Sequence, residues 1–177
     1  NDGEMGKYAY ATYARERLTG IDGEDQPLAL SELAEFPKFA ERVSLTIKTP
    51  ACTGPVAYRG AGSVATDIAN LKTALQGVPV SEALMTASSP AIMACYMPNR
   101  HYPTQEAYLE ALADAMKQEY DAIAASGLLL QLDCPDLALG RHFRPTPLDV
   151  PAFRREVALH IEVLNHALRD IPPDRMR

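Results

Sequence analysis

Apolar residues along this chain follow two rhythms, one helical and one strand-like, and their alternation lays out the elements. Val64, Ile68, Leu71 and Leu75 recur at the spacing of one helix face, with Ser63 as the expected N-cap and Gly77 as the stop. Leu109, Leu112, Met116, Tyr120 and Ile123 form a longer stripe that starts at Pro103-Thr104, carries Glu106 and Glu110 near its beginning and ends at Gly127. Phe153, Val157, Ile161, Leu164 and Leu168 mark a last amphipathic helix from Asp149 to just before Pro172. Between these, Arg42 to Thr49 alternates Val43, Leu45 and Ile47 with polar residues, which predicts a strand. Glu82 to Ala87 is a weaker strand signal. Leu128 to Leu132 is a short apolar run bounded by Gly127 and Pro135, which suits a strand buried on both faces.

The remaining stretches are shorter. Tyr8 to Leu18 predicts a short helix closed by Gly20, and Ile21 to Pro27 a polar connection. Ser31 caps a short helix through about Phe36, which Pro37 interrupts. Thr53-Gly54-Pro55 is a turn, the stretch from Ser88 through Tyr96 to His101 shows no clear period, and Pro145 and Pro147 stiffen a connection.

Strands near 43–49, 82–87 and 128–132, each followed by a polar turn and separated by helices, make a repeated βα plan of about 40 residues per unit. The expected fold class is therefore α/β with a parallel sheet. An eight-fold barrel takes about 250 residues, so at this spacing the chain supplies about half of one. A small open doubly wound sheet is the alternative. Gly60-Ala61-Gly62 lacks a third glycine and does not directly follow a strand, which leaves a dinucleotide site little support.

Composition narrows the function classes. A net charge of −6 and a pI near 5.2 argue against a nucleic-acid surface. No apolar run approaches the roughly 20 residues that span a bilayer, so no membrane association is expected. Three widely separated cysteines, Cys52, Cys95 and Cys134, fit a reducing compartment, and the cytoplasm is the expected location. The chain opens on Asn-Asp-Gly-Glu and closes on Pro-Pro-Asp-Arg-Met-Arg directly after a helix, the expectation for a piece of a longer protein.

Chemistry concentrates where the 128–132 run ends. Strand ends in parallel α/β folds are where ligands bind, and buried strands rarely end on an acid for packing reasons. Asp133 is thus a candidate holder of a cationic group, against the bland reading of a turn-stabilising aspartate. Glu4 is a second candidate, provided that the fold brings it to the same rim. Cys134 lacks an evident base and reads as a structural thiol. His160 and His166 are six apart, off the i, i+4 face that a zinc pair uses. Tyr8, Tyr10 and Tyr13 read as packing groups, and Ser88-Ser89-Pro90 lacks the glycines of a nucleophile elbow.

Gln131-Leu132-Asp133-Cys134-Pro135-Asp136-Leu137-Ala138 resembles the Gln-x-Asp-(Glu/Asp/Cys)-Pro strand-end motif of cobalamin-independent methionine synthases and their single-barrel relatives. Asp2-Gly3-Glu4-Met5-Gly6-Lys7 resembles the segment that ends an earlier strand of the same barrel. Thr53-Gly54-Pro55-Val56, Ser89-Pro90, the helix Tyr108 to Gly127, Asn165-His166-Ala167-Leu168 and Ile171-Pro172 are similar in order and spacing, so that the resemblance extends over nearly the whole chain.

The resemblance implies a (β/α)8 TIM-barrel fold of which this chain is the central portion, without the first strand and the strands after residue 177. It implies transfer of a methyl group from methyltetrahydrofolate to the thiol of homocysteine, with zinc activating that thiol through ligands outside this chain. Glu4 and Asp133 match the two carboxylates that hold the amino group of homocysteine, and Asp2, Ser88 and His142 are lesser substrate-site candidates. Cys134 stands where the full-length synthases carry glutamate, which points to the single-barrel relatives. One alternative is a related thiol alkyltransferase that opens an epoxide with coenzyme M. Another is a non-catalytic fragment or binding module. Half a barrel leaves strand edges and core exposed, so self-association into a homo-oligomer is expected.

Overall fold

In the computed structural model, residues 10–27, 30–46 and 48–177 are described. Asp2 and Glu4 lie outside the described residues. The elements in chain order are α1 (Tyr10–Arg17), β1 (Gln26–Pro27), α2 (Glu32–Glu35), α3 (Pro37–Thr46), β2 (Lys48–Thr49), α4 (Ala61–Ala74) and β3 (Leu84–Ser88). They continue with α5 (Pro90–Tyr96), α6 (Gln105–Ala125), β4 (Leu129–Asp133), α7 (Asp136–Leu139) and α8 (Val150–Ala167). The result is a mixed α/β arrangement, mostly helical, with two sheets of two strands among the described residues. No closed barrel is present among them.

The helix that organises the core is α6. Leu109, Leu112, Met116, Tyr120 and Ile123, the stripe read from the sequence, are all at most 1% exposed. The helix starts where expected because the Thr104 hydroxyl accepts a hydrogen bond from the Ala107 amide at 3.1 Å, satisfying one of the unpaired first-turn donors. It stops at Gly127, whose φ of +89° is a left-handed conformation that side-chain-bearing residues rarely adopt. Thr104→Ala is expected to cost about 1 kcal/mol in urea-induced unfolding, with no change in the fold.

β3 and β4 pair in parallel, with Leu84 opposite Leu129 and Ser88 opposite Asp133. The helices α5 and α6 join them, which is the crossover that parallel neighbours require. On one face, Ala87 and Leu130 are buried in the core, with Met85 and Leu132 packed against it. On the other, Leu84 and Thr86 are exposed. A further parallel contact begins beside β4: Met176 is the bridge partner of Leu130, the Arg177 amide donates to the Leu130 carbonyl at 2.8 Å, and the Leu132 amide donates to the Arg177 carbonyl at 2.9 Å.

Several local expectations need correction. The alternating stretch Arg42 to Thr49 is not a strand over its length: the chain is helical to Thr46, and among the described residues of the stretch only Lys48–Thr49 pairs, antiparallel with Gln26–Pro27. Pro37 opens that helix at a first position, where its fixed φ and missing N–H fit, and this local signal overrides a short period-two pattern. Ser63 does not cap α4; the helix begins at Ala61 after Gly60. Gly60 is required there by space, since a Cβ would sit 2.3 Å from the Arg17 Cδ. The stretch after Ser88 is not irregular. Ser89 caps α5, its hydroxyl accepting from the Ile92 amide at 3.1 Å, and Pro90 takes the first helical turn.

Candidate functional site

The C-terminal ends of β3 and β4 hold the chemistry-bearing groups. Ser88 and Asp133 are register partners, which puts their side chains on the same face of the sheet. Asp133 is exposed there, whereas Ser88 is 9% exposed and its carbonyl accepts from the buried Tyr120 hydroxyl at 2.5 Å. The Ser89 amide donates to the Asp133 carbonyl at 3.0 Å, so the two strand ends are fixed to each other just where they release the chain. Tyr96, at the end of α5, borders the same place. Burial pushes its phenol up, and the nearby carboxylate of Asp133 adds to that. Its ring packs on Phe143 with centroids 5.0 Å apart.

Directly beneath lies a buried polar relay. The Ser89 hydroxyl donates to Asp136 Oδ1 at 2.5 Å, and His160 Nδ1 lies 3.1 Å from Asp136 Oδ2. Ser89, Asp136 and His160 are 1%, 1% and 6% exposed. These residue types match a hydrolase triad, but the order does not. A nucleophilic serine needs the histidine between itself and the acid, and here the acid stands between serine and histidine. With its hydroxyl also capping α5, Ser89 is a structural joint between α5, α7 and α8.

Two thiols border this relay. Burial, followed by the charges of Asp136 and Asp133, pushes the Cys134 thiol up to about 11, while a hydrogen bond with Ser89 works in the opposite direction. Burial, with Asp136 and Glu156, pushes Cys95 up to about 12. Both are therefore thiols at neutral pH and poor nucleophiles. This accords with a structural reading of Cys134.

His142 is placed by different partners. Its Nδ1 is 2.6 Å from Glu32 Oε1 and 3.1 Å from the Ser31 hydroxyl, which ties the loop after α7 to α2. His160 and His166 also part company: His160 faces Asp136, while His166 Nε2 lies 2.9 Å from Asp114 Oδ1. Among the described residues, no group of three or more His, Cys, Asp or Glu converges as a metal site would. No described helix is long and apolar enough to cross a membrane.

A second polar cluster lies away from the strand ends. Glu119, on the buried face of α6, pairs with Arg17 Nε at 2.8 Å and accepts from the hydroxyls of Tyr58, at 2.8 Å, and Tyr13. Arg17 also meets Asp67 at 2.5 Å. Beside it, a groove of about 390 Å³ between α4 and α6 is lined by Tyr58, Val64, Ile68, Gln118 and Ala122 among others. That lining holds no acid, histidine or cysteine, so the groove is assigned no chemistry.

Sequence reading singled out Asp133 and Ser88, and the structure brings these together. It missed Tyr96, Phe143 and the Ser89–Asp136–His160 relay. The Ser-Pro pair that caps α5 was an available signal for the helix carrying Tyr96. No protein-family model matches the chain, and a search of curated proteins likewise found no match.

Proposed function

We propose that this chain is the central portion of a (β/α)8 barrel of the methionine-synthase type, transferring a methyl group from a methylated folate to the homocysteine thiol. The observation that carries the reading is the place of Asp133: an exposed carboxylate at the C-terminal end of a parallel strand, in register with Ser88. Ligands of parallel α/β folds bind at that end. The order β3, β4 and then Met176–Arg177, each parallel to its predecessor and reached through helices, agrees with successive barrel strands. The motif resemblance around Gln131 to Ala138 supplies the reaction class.

In this reading Asp133 accepts hydrogen bonds from the substrate ammonium and fixes the direction in which the thiol points. A carboxylate suits this because a charge-assisted bond is about twice as strong as a neutral one. Ser88 closes the same rim from the neighbouring strand. Glu4 is the proposed second carboxylate, and Asp2 an accessory one. His142 serves the fold through Glu32, and no substrate contact is assigned to it. Zinc, which the resemblance implies, finds no ligand set among the described residues. A cytoplasmic location and self-association belong to the same proposal.

Asp133→Asn in the intact protein is expected to weaken homocysteine binding about tenfold or more, with thermal stability and zinc content unchanged. Isothermal titration with homocysteine and with coenzyme M separates the two alkyltransferase readings. A coenzyme M enzyme, whose thiol bears no amine, would bind its thiol equally well with and without the Asp133 charge. Unchanged homocysteine affinity would remove the role of Asp133.

A further inference from the structure

Asp133 ends β4, and the chain then turns through Cys134 and Pro135 into α7, which begins at Asp136. Both ends of this turn are held by the same residue at the exit of β3. The Ser89 amide donates to the Asp133 carbonyl at 3.0 Å, and the Ser89 hydroxyl donates to Asp136 Oδ1 at 2.5 Å. Within the turn, the Leu137 amide donates to the Cys134 carbonyl at 3.1 Å. The turn that carries Asp133 is therefore gripped from outside at its start and its finish, and closed from inside as well.

The grip is itself well supported. Ser89 is 1% exposed, and its hydroxyl accepts from the Ile92 amide while its proton goes to Asp136. One residue earlier, the Ser88 carbonyl accepts from the hydroxyl of Tyr120, which is fully buried on α6. The other carboxylate oxygen of Asp136 meets His160 Nδ1 on α8 at 3.1 Å. The hold on the turn is thus backed by the two longest helices, whereas Asp133 itself stands exposed at the rim. Buried, fully partnered hydrogen bonds specify one arrangement. A carboxylate fixed in place beforehand binds a ligand more tightly, because less has to be ordered on binding.

We propose that Ser89 is a positioning residue for Asp133: it clamps the Asp133–Asp136 turn at both ends and so sets where the Asp133 carboxylate stands, with Asp136 and His160 as its backing. The proposal rests on the reading of Asp133 as the group that meets the substrate amine. It binds the Ser89-Pro90 pair and the Asp133-Cys134-Pro135-Asp136 stretch into one working unit.

In the intact protein, Ser89→Ala removes the hydroxyl and keeps the amide. It is expected to raise amide exchange at positions 89 and 137 about fivefold, the scale of one hydrogen bond, and to weaken homocysteine binding, read by isothermal titration, by a similar factor. Exchange in the middle of α6 should stay unchanged, which shows that the variant is folded. Asp136→Ala, the second variant, should act in the same direction from the other partner, and Asp136→Asn, which keeps an acceptor for Ser89, should restore most of both readouts. Introduced into Asp133→Asn, Ser89→Ala should weaken homocysteine binding no further, since a residue that acts through another loses its effect with it. Unchanged exchange at positions 89 and 137 in both Ser89→Ala and Asp136→Ala would overturn the clamp. Faster exchange with unchanged affinity, or an equal loss of affinity with and without the Asp133 charge, would overturn the positioning role. Should Asp133→Asn leave homocysteine binding intact, the substrate reading fails while the exchange measurement still decides the clamp, so the failures are distinguishable.

Discussion

Glu119→Ala is expected to destabilise the protein by about 3–5 kcal/mol, the range for breaking a buried ion pair by removing one partner. Arg17 and Glu119 are 3% and 2% exposed, and the carboxylate also accepts from Tyr13 and Tyr58. Alanine would leave a buried guanidinium with Asp67 as its main acidic partner, and two phenols without their acceptor. Burial, with the nearby Glu119, pushes both phenols above the ordinary tyrosine range, so they remain donors at neutral pH. Urea unfolding at neutral pH measures the loss. A cost below about 1 kcal/mol would mean that the cluster behaves as a solvated surface network. The double variant Arg17→Met, Glu119→Leu should recover only the part of the loss that comes from the unpaired guanidinium, because the Tyr13 and Tyr58 hydroxyls still lack their acceptor and Asp67 loses Arg17.

Asp136→Ala should cost about 3 kcal/mol, since it strands the Ser89 hydroxyl and the His160 ring, each buried, and leaves a small cavity. Asp136→Asn separates charge from hydrogen bonding. It keeps an acceptor for Ser89 and offers His160 an amide, so the loss should be clearly smaller, as read from urea midpoints. Equal losses in the two variants would show that the carboxylate charge, and not the joint it makes, matters. The position has a functional consequence through geometry alone. Ser89 caps α5 and its amide holds the Asp133 carbonyl, so loosening Asp136 should also raise amide exchange at Ser89.

The parts legible in the sequence are those that depend on local rules. The α6 stripe, its Thr104 cap and its Gly127 stop each follow from a few neighbouring residues, and each is present. The Asp149 cap of α8 is another, its carboxylate accepting from the Ala152 amide at 2.7 Å. The parallel pairing of 84–88 with 129–133 follows from two short runs separated by helices. Where two local signals competed, at Pro37 to Thr49, alternation misled because the proline at a helix start decided the conformation.

By itself, then, the sequence determined a mixed α/β chain with a parallel pair and an acid at the end of its second strand. Propensity, capping and apolar period all act over a few residues, and these features need nothing longer. Only the tertiary structure decided what surrounds that acid. Ser88 stands 45 positions before Asp133 and joins it through strand register, while Tyr96 comes in on a helix that showed no clear period. Glu119 on α6 and Tyr13 on α1, 106 positions apart, meet through a hydrogen bond. Such contacts are set by how the helices fold over the sheet, a long-range result of burying the core that no short window of residues encodes.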